Sequence, residues 1–175
     1  MILIGMGSNL TTSEYGSSKE ILKAAMKALN REDIRIIKCS RFYQTEPVPK
    51  SDQPWFVNAV ISVKTSLCAL ELLNKLHEIE QNMGRVRLKK WEARIIDLDL
   101  LSYHDEVYPN AENWHNEASN PSSNEPVIPH GRLHERDFVL IPISDINKSW
   151  QHPVLQKNVE KMLNDHESVG IVRLL

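Results

Sequence analysis

A chain of 175 residues, 41% of them hydrophobic, has the bulk for one compact domain, or for one domain carrying a substantial insertion. Its net charge of −2 argues against a general nucleic-acid or membrane-surface binder. The two cysteines, Cys39 and Cys68, sit in apolar contexts that suggest neither a disulfide framework nor a metal pair.

The opening Met1-Ile2-Leu3-Ile4-Gly5 lacks the basic region and long apolar segment of a signal peptide and reads as a buried strand, Ile2 to Ser8. No apolar run approaches the ~20 residues of a membrane-spanning helix. A soluble cytoplasmic protein is expected. Gly5-Met6-Gly7 does not extend to a third glycine, and no Gly-Lys-Ser/Thr phosphate loop occurs, so the two common nucleotide fingerprints are missing. Ser17 with Glu20 resembles a capping box and opens a helix whose apolar face is Ile21, Leu22, Ala25 and Leu29. Ile34 to Tyr43, rich in β-branched and aromatic residues, predicts a second strand, followed by a polar loop from Gln44 to Pro54.

Phe56 to Thr65 alternates as a half-buried strand does: Val57, Ala59, Ile61 and Val63 on one face, Phe56, Asn58, Val60 and Ser62 on the other. Cys68 to Met83 carries Ala69, Leu72, Leu73, Leu76 and Ile79 at helical spacing, and Gly84 ends that helix. A basic loop follows: residues 85 to 94 hold Arg85, Arg87, Lys89, Lys90 and Arg94 against one carboxylate, Glu92. The next strand bears Asp97 and Asp99. The order strand, helix, strand, strand, helix, strand predicts an α+β, ferredoxin-like βαββαβ antiparallel sheet with both helices on one face. The other face is then free for a ligand. Asp105 to Glu125, dominated by Pro, Asn, Ser and Glu, reads as a surface insertion in a single domain spanning 1–175. Phe138 to Ile146 and Val159 to Leu163 predict extra C-terminal helices.

The residues with chemistry cluster around the last strand. Side chains in a strand alternate faces, so Asp97 and Asp99 point the same way, roughly 6.5–7 Å apart. Two charges at that distance repel by about 2 kcal/mol at an effective dielectric near 20. Such a pair, partly buried, wants a cation. Carboxylates suit Mg²⁺, whose shell is usually completed by water and substrate phosphates. Arginine forks just upstream suit phosphate oxygens. The plainer alternatives are solvent-facing acids at a strand end and an ordinary solvated basic loop. Asn58 is costly to bury among Val, Ile and Phe unless partnered, so it either reads the edge of a flat heterocycle or sits at a wet hairpin. Phe56, Trp91 and Phe138 offer stacking surfaces, with core packing as the ordinary fate of each. His130 and His134 have helical metal spacing but lack a metalloprotease glutamate between them; His130 beside a phosphate is the better reading.

Six ordered motifs carry a resemblance: Gly7-Ser8-Asn9-Leu10, Phe42 to Pro47, Gln53 to Ala59, Glu80 to Arg87, Arg94 to Leu100, and Ile128-Pro129-His130. In this order they resemble the 6-hydroxymethyl-7,8-dihydropterin pyrophosphokinase family over roughly residues 1 to 145. The resemblance implies transfer of the β,γ-diphosphate of ATP to the pterin hydroxymethyl oxygen, leaving AMP, in folate biosynthesis. It implies that Asp97 and Asp99 hold two Mg²⁺ ions and that Arg85 and Arg94 are mobile cations on the phosphates. Leu73, His77, Glu80, Arg87, Trp91, Leu100, His130 and Arg136 match positions around ATP. Gly7, Thr45, Glu46, Val48, Phe56, Asn58 and Phe138 match the pterin pocket. Phe56 stands where relatives often have Tyr, Glu92-Ala93 where Gly-Pro is common, and the 105–125 insertion has no assignable counterpart. The alternative is a ferredoxin-like RNA-binding or small-molecule-sensing domain without catalysis. An RNA binder needs aromatics and basic residues on its central strands, whereas Phe56 to Thr65 offers one of each. Neither nucleic acid nor membrane is expected as a partner. A monomer is expected, although free sheet edges permit a weak dimer.

Overall fold

The computed structural model describes residues 1–31, 33–85, 93–119, 126–165, 168 and 170–175. Its centre is a six-stranded antiparallel sheet of β1 (Ile2–Ser8), β2 (Ile34–Cys39), β3 (Tyr43–Thr45), β4 (Phe56–Thr65), β5 (Asp97–Tyr103) and β6 (Val172–Leu174). The spatial order is β5-β1-β4-β3-β6, with β2 pairing the other half of β4. The predicted second strand is therefore broken in two. The ladder slips between Ile36 and Lys38, and at Ser40 the side chain joins in: its hydroxyl accepts from the Val60 N–H at 2.9 Å. That bond lets the chain leave and rejoin β4 without orphaning a buried donor.

Two helices, α1 (Ser18–Leu29) and α2 (Ala69–Asn82), cover one sheet face. Both open on reciprocal caps. Glu20 accepts from the Ser17 N–H at 2.9 Å, and Glu71 accepts from the Cys68 N–H at 2.8 Å. Gly84, at φ +86°, takes the left-handed turn that ends α2 and sends the chain back toward the sheet. The residues beneath these helices are those the alternation assigned: Val57, Ala59, Ile61 and Val63 from β4, with Leu98 and Leu100 from β5.

The opposite face is not left bare. α4 (Asp137–Ile146) and α5 (Val159–Asp165) seal one half of it, packing Leu140, Ile143, Val159 and Met162 against Leu3, Val60 and Leu101. The other half stays open. A further helix, α3 (Ala111–Ser119), was not apparent in the polar 105–125 stretch. It forms around one anchor: Trp114 is fully buried, and its indole N–H donates to the Pro129 carbonyl at 2.8 Å. Tyr108 and Ile128 exchange backbone hydrogen bonds, and Ala118 packs so closely on Gly131 that a Cβ there would lie 2.7 Å from the Ala118 Cα. This segment thus holds the Pro129-His130-Gly131 turn. No helix among the described residues is long and apolar enough to cross a membrane.

Candidate active site

The open half of the sheet is the floor of a cavity of about 440 Å³. Gly5 and Gly7 of β1, Asn58 of β4, and Asp97 and Asp99 of β5 all face it, as their alternation with core residues requires. The loop after β3 (Thr45, Glu46, Pro47, Val48, Pro49) and Phe56 form one wall. Arg132, Glu135, Arg136, Phe138 and Val139 form another, and Arg94 closes the acidic end.

Asn58 is 8% exposed and central in the sheet, which removes the wet-hairpin alternative. Its amide donates to the Thr45 hydroxyl at 2.6 Å. Its carbonyl oxygen lies over Gly7, where a Cβ would sit 2.9 Å away. Gly7 is therefore glycine because the amide oxygen occupies the space of a side chain. One amide is thus held at a fixed angle beside two aromatic rings, Phe56 and Phe138, and the Arg136 guanidinium sits 5.6 Å from the Phe138 centroid.

At the acidic end, Asp97 accepts from both arginines: Arg85 Nη1 lies 2.5 Å from one carboxylate oxygen and Arg94 Nη1 2.6 Å from the other. Arg85 also pairs with Glu80. Glu80 is only 1% exposed and accepts the Leu98 N–H at 2.7 Å, so it ties Arg85 to β5 from beneath. A buried carboxylate so placed is a strut, and it meets the site through Arg85. Asp99 has a different environment. Burial first, and the neighbouring Asp97 charge second, push its carboxyl above the ordinary range, against the pull of His130, Arg136 and Arg85. His130 is shifted the opposite way: burial holds its imidazole below the usual value, although the Asp99 charge pulls it up. An acid held above its normal range beside an already paired acid is a place that favours an added cation.

Of the sequence-derived candidates, Gly7, Thr45, Glu46, Val48, Phe56, Asn58, Arg94, Asp97, Asp99, Arg136 and Phe138 line one cavity. Arg85 joins it through Asp97, and His130 through its charge coupling to Asp99. Leu100 does not face it. The alternation that aims Asp99 at the cavity turns the Leu100 side chain into the core under the helices, where it is 5% exposed. Leu73, on α2, packs against that same core, and His77 and Glu80 share its helix; none of the three lines the cavity. Arg87 and Trp91 lie outside the described residues.

Asn9 belongs to the first motif, and its role becomes visible only in the structure. It is 2% exposed, and its side-chain oxygen accepts the Arg94 N–H at 2.7 Å while its own N–H donates to the Arg94 carbonyl at 3.2 Å. Its amide nitrogen donates to Gln53 Oε1 and to the Pro54 carbonyl, both at 3.2 Å. One side chain therefore couples the Arg94 backbone to the opposite loop. Gln53, which opens one of the six motifs, also lines the cavity, as do Arg132 and Glu135, which carry no sequence signal.

Residues 3–148 match the model of 7,8-dihydro-6-hydroxymethylpterin-pyrophosphokinase. The chain belongs to that family. A 2-amino-4-hydroxy-6-hydroxymethyldihydropteridine pyrophosphokinase of Haemophilus influenzae is 36% identical over 171 residues, covering 96% of each chain. One from Bacillus subtilis is 31% identical over 169 residues, 96% of this chain and 87% of its own length. The folic acid synthesis protein fol1 of Schizosaccharomyces pombe is 33% identical, and this chain spans only 21% of it. Among solved structures, an HPPK-DHPS in complex with substrates superimposes with a TM-score of 0.68 at 16% identity, over 94% of this chain and 43% of that one. A Plasmodium falciparum HPPK-DHPS gives 0.69 at 17% identity over the same 94%, and 42% of its own length. At such identity the structural likeness speaks for the fold.

Proposed function

We propose that this protein transfers the β,γ-diphosphate of ATP to the hydroxymethyl oxygen of 6-hydroxymethyl-7,8-dihydropterin, releasing AMP, as a step of folate biosynthesis. The observation that carries the reading is one cavity with two chemically different ends on the same sheet face. The Asn58–Phe56–Phe138 end suits a flat, hydrogen-bonding heterocycle, and the Asp97–Asp99 end, fringed by Arg94, Arg85 and Arg136, suits a polyphosphate with its cation. The non-catalytic alternatives leave paired acids beneath arginines without a purpose.

Asp97 and Asp99 fit magnesium. Among the described residues no cluster of three or more potential ligands gathers. A site of two carboxylates matches an ion that keeps several waters and takes substrate phosphate oxygens. We assign two Mg²⁺ to this pair; bound there, they would neutralise the triphosphate and polarise the transferred group. The protein's own part is placement. Asn58 and the rings orient the pterin so that its hydroxymethyl oxygen faces the middle phosphorus of ATP. Asp97 and Asp99 would hold the metal, and Arg85 and Arg94, which pair with Asp97 here, are the cations that would meet the phosphate oxygens. Little covalent chemistry falls to side chains in such a transfer; alignment and charge neutralisation supply the rate.

With β2 and β3 counted as one interrupted strand, we read the order β5-β1-β4-β2/β3 as the ferredoxin-like plan, extended by β6. We further read residues 1–175 as one domain with an insertion at 105–125, acting as a cytoplasmic monomer. The deciding experiment incubates the protein with Mg²⁺, ATP and 6-hydroxymethyl-7,8-dihydropterin and resolves the nucleotides. Pterin-dependent AMP is expected; ADP, or no turnover, would refute the assignment.

A further inference from the structure

We propose that the C-terminal segment, Ser168 and residues 170–175, positions both walls of the cavity's pterin end. The proposal rests on the reading of that end as the pterin site. The segment lies beyond the residues 3–148 matched by the family, and it lines no part of the cavity itself. Its effect must pass through other residues.

The first wall is the loop that follows β3. A three-residue strand on a single neighbour holds a loop weakly. Here β6 adds a second neighbour, pairing Tyr43 with Leu174, Gln44 with Arg173 and Thr45 with Val172. The ladder continues into the lining, where the Glu46 N–H donates to the Ile171 carbonyl at 3.1 Å. Beside it, a Cβ at Gly170 would sit 3.4 Å from Val48 Cγ2, so the tail touches the back of the wall directly. Arg173 lies 5.2 Å from the Trp55 ring centroid, pinning the far end of the same loop one residue before Phe56.

The second wall is the start of α4. The Ser168 hydroxyl donates to Asp137 Oδ2 at 2.5 Å, and Asp137 is buried between Arg136 and Phe138, which both face the cavity. A few residues of chain thus tie the Thr45–Val48 wall to the Arg136–Phe138 wall. The span between the Thr45–Val48 wall and the Phe138 ring is thereby set from outside. A preset span lowers the ordering cost of binding a flat ligand between them and bears on the polyphosphate end only through Arg136. Ser168 and Arg173 are positioning residues in this scheme.

The test compares the wild type with Ser168→Ala/Arg173→Ala, with both single variants, and with Arg173→Lys, all at full length, in an AMP-formation assay with pterin and ATP varied separately. The double variant should raise the pterin KM on the order of tenfold, through lost preorganisation. The ATP KM and kcat should stay within about twofold, because uniform pterin binding alone has weakened. Arg173→Lys, which keeps a cation over Trp55, should recover most of the loss. Equal rises in both KM values, or a pterin KM unchanged in the double variant, would overturn the proposal. Should the double variant fail to fold, a wild-type pterin KM in both single variants would overturn it too. AMP from the wild type without the split sinks this proposal alone, whereas no AMP from the wild type sinks the reading of the site and the proposal together.

Discussion

One face of one sheet carries two surfaces with opposite fates. Leu3, Val60 and Leu101 pack under α4 and α5, the last two also at the cavity's inner edge, whereas Gly5, Gly7, Asn58, Asp97 and Asp99, on the same three strands and pointing the same way, form its open floor. β1 pairs β4 and β5 along both halves, and the β1–β5 register slips between Leu3 and Ile4, where the halves meet. Side-chain chemistry decides which half is covered. Leucine and valine make burying a helix profitable; glycine leaves no surface to cover, and amide and carboxylate cannot be covered without partners. A site arises where the apolar alternation is kept on the core face and withdrawn on the other.

The largest expected departure comes from the open half. Asp97→Ala or Asp99→Ala should leave the fold largely intact and lower turnover by on the order of a thousandfold or more, since the metal-bound polyphosphate loses its anchor. Circular dichroism beside the AMP assay checks both clauses, and near-wild-type turnover in either purified variant would contradict the metal role.

The sealed half should respond in the opposite currency. Ile143→Ala, a fully buried site, should cost about 2–5 kcal/mol of stability by urea unfolding, while turnover per folded molecule stays close to wild type. A large kcat loss at temperatures where the variant is folded would mean that the two halves are mechanically coupled.

A smaller effect concerns pH at the margin of the sealed half. The His152 imidazole is fully buried and its Nδ1 accepts from the Val154 and Leu155 N–H groups, both at 3.2 Å. Among the described residues its Nε2 meets no hydrogen-bond partner. Trp114, Trp150 and His134 pack around the ring, and His134 and His115 would oppose a charge there. Burial lowers its pKa to about 3. The sign follows from proton counting: between the unfolded value of about 6.5 and the folded value, the folded state binds fewer protons. The stabilisation from this group is complete above pH ~6.5 and drains away as pH falls toward ~3, by up to a few kcal/mol. In His152→Asn the amide oxygen can still accept those two N–H bonds. The stability gap between wild type and this variant should therefore narrow from pH 7 to pH 4. A gap constant across that range would show that His152 is not the proton-sensitive group.

Several elements were legible before any coordinates. The two covering helices announce themselves by apolar spacing, and α1 also by its capping box at Ser17; the matching cap at Cys68 came only with the structure. The acidic pair stands out because two carboxylates at period 2 among leucines have no structural use, and Asn58 because an amide is costly in an apolar strand. What stayed hidden depends on partners distant in the chain. Asn9 becomes a clamp only when Arg94, 85 residues on, folds back to it. Glu80 is placed near ATP by the resemblance alone, and its part as a strut emerges only when Gly84 reverses the chain and brings Arg85 over it. α3 has one large buried residue and too little apolar periodicity to be read, so its stability is tertiary. The interruption between β2 and β3 likewise rests on Ser40 finding Val60.

The bare floor of the cavity has a bearing on inhibitor design. A compound resting on the β1 backbone at Gly5 and Gly7 would touch atoms that every substitution retains, so escape could come only by adding bulk. At Gly7 the first added carbon would strike the Asn58 oxygen at 2.9 Å, and at Gly5 it would press on Leu101 at 3.2 Å. Resistance would be driven to the walls, above all the Thr45–Pro49 loop and Phe138, where side chains can still change shape.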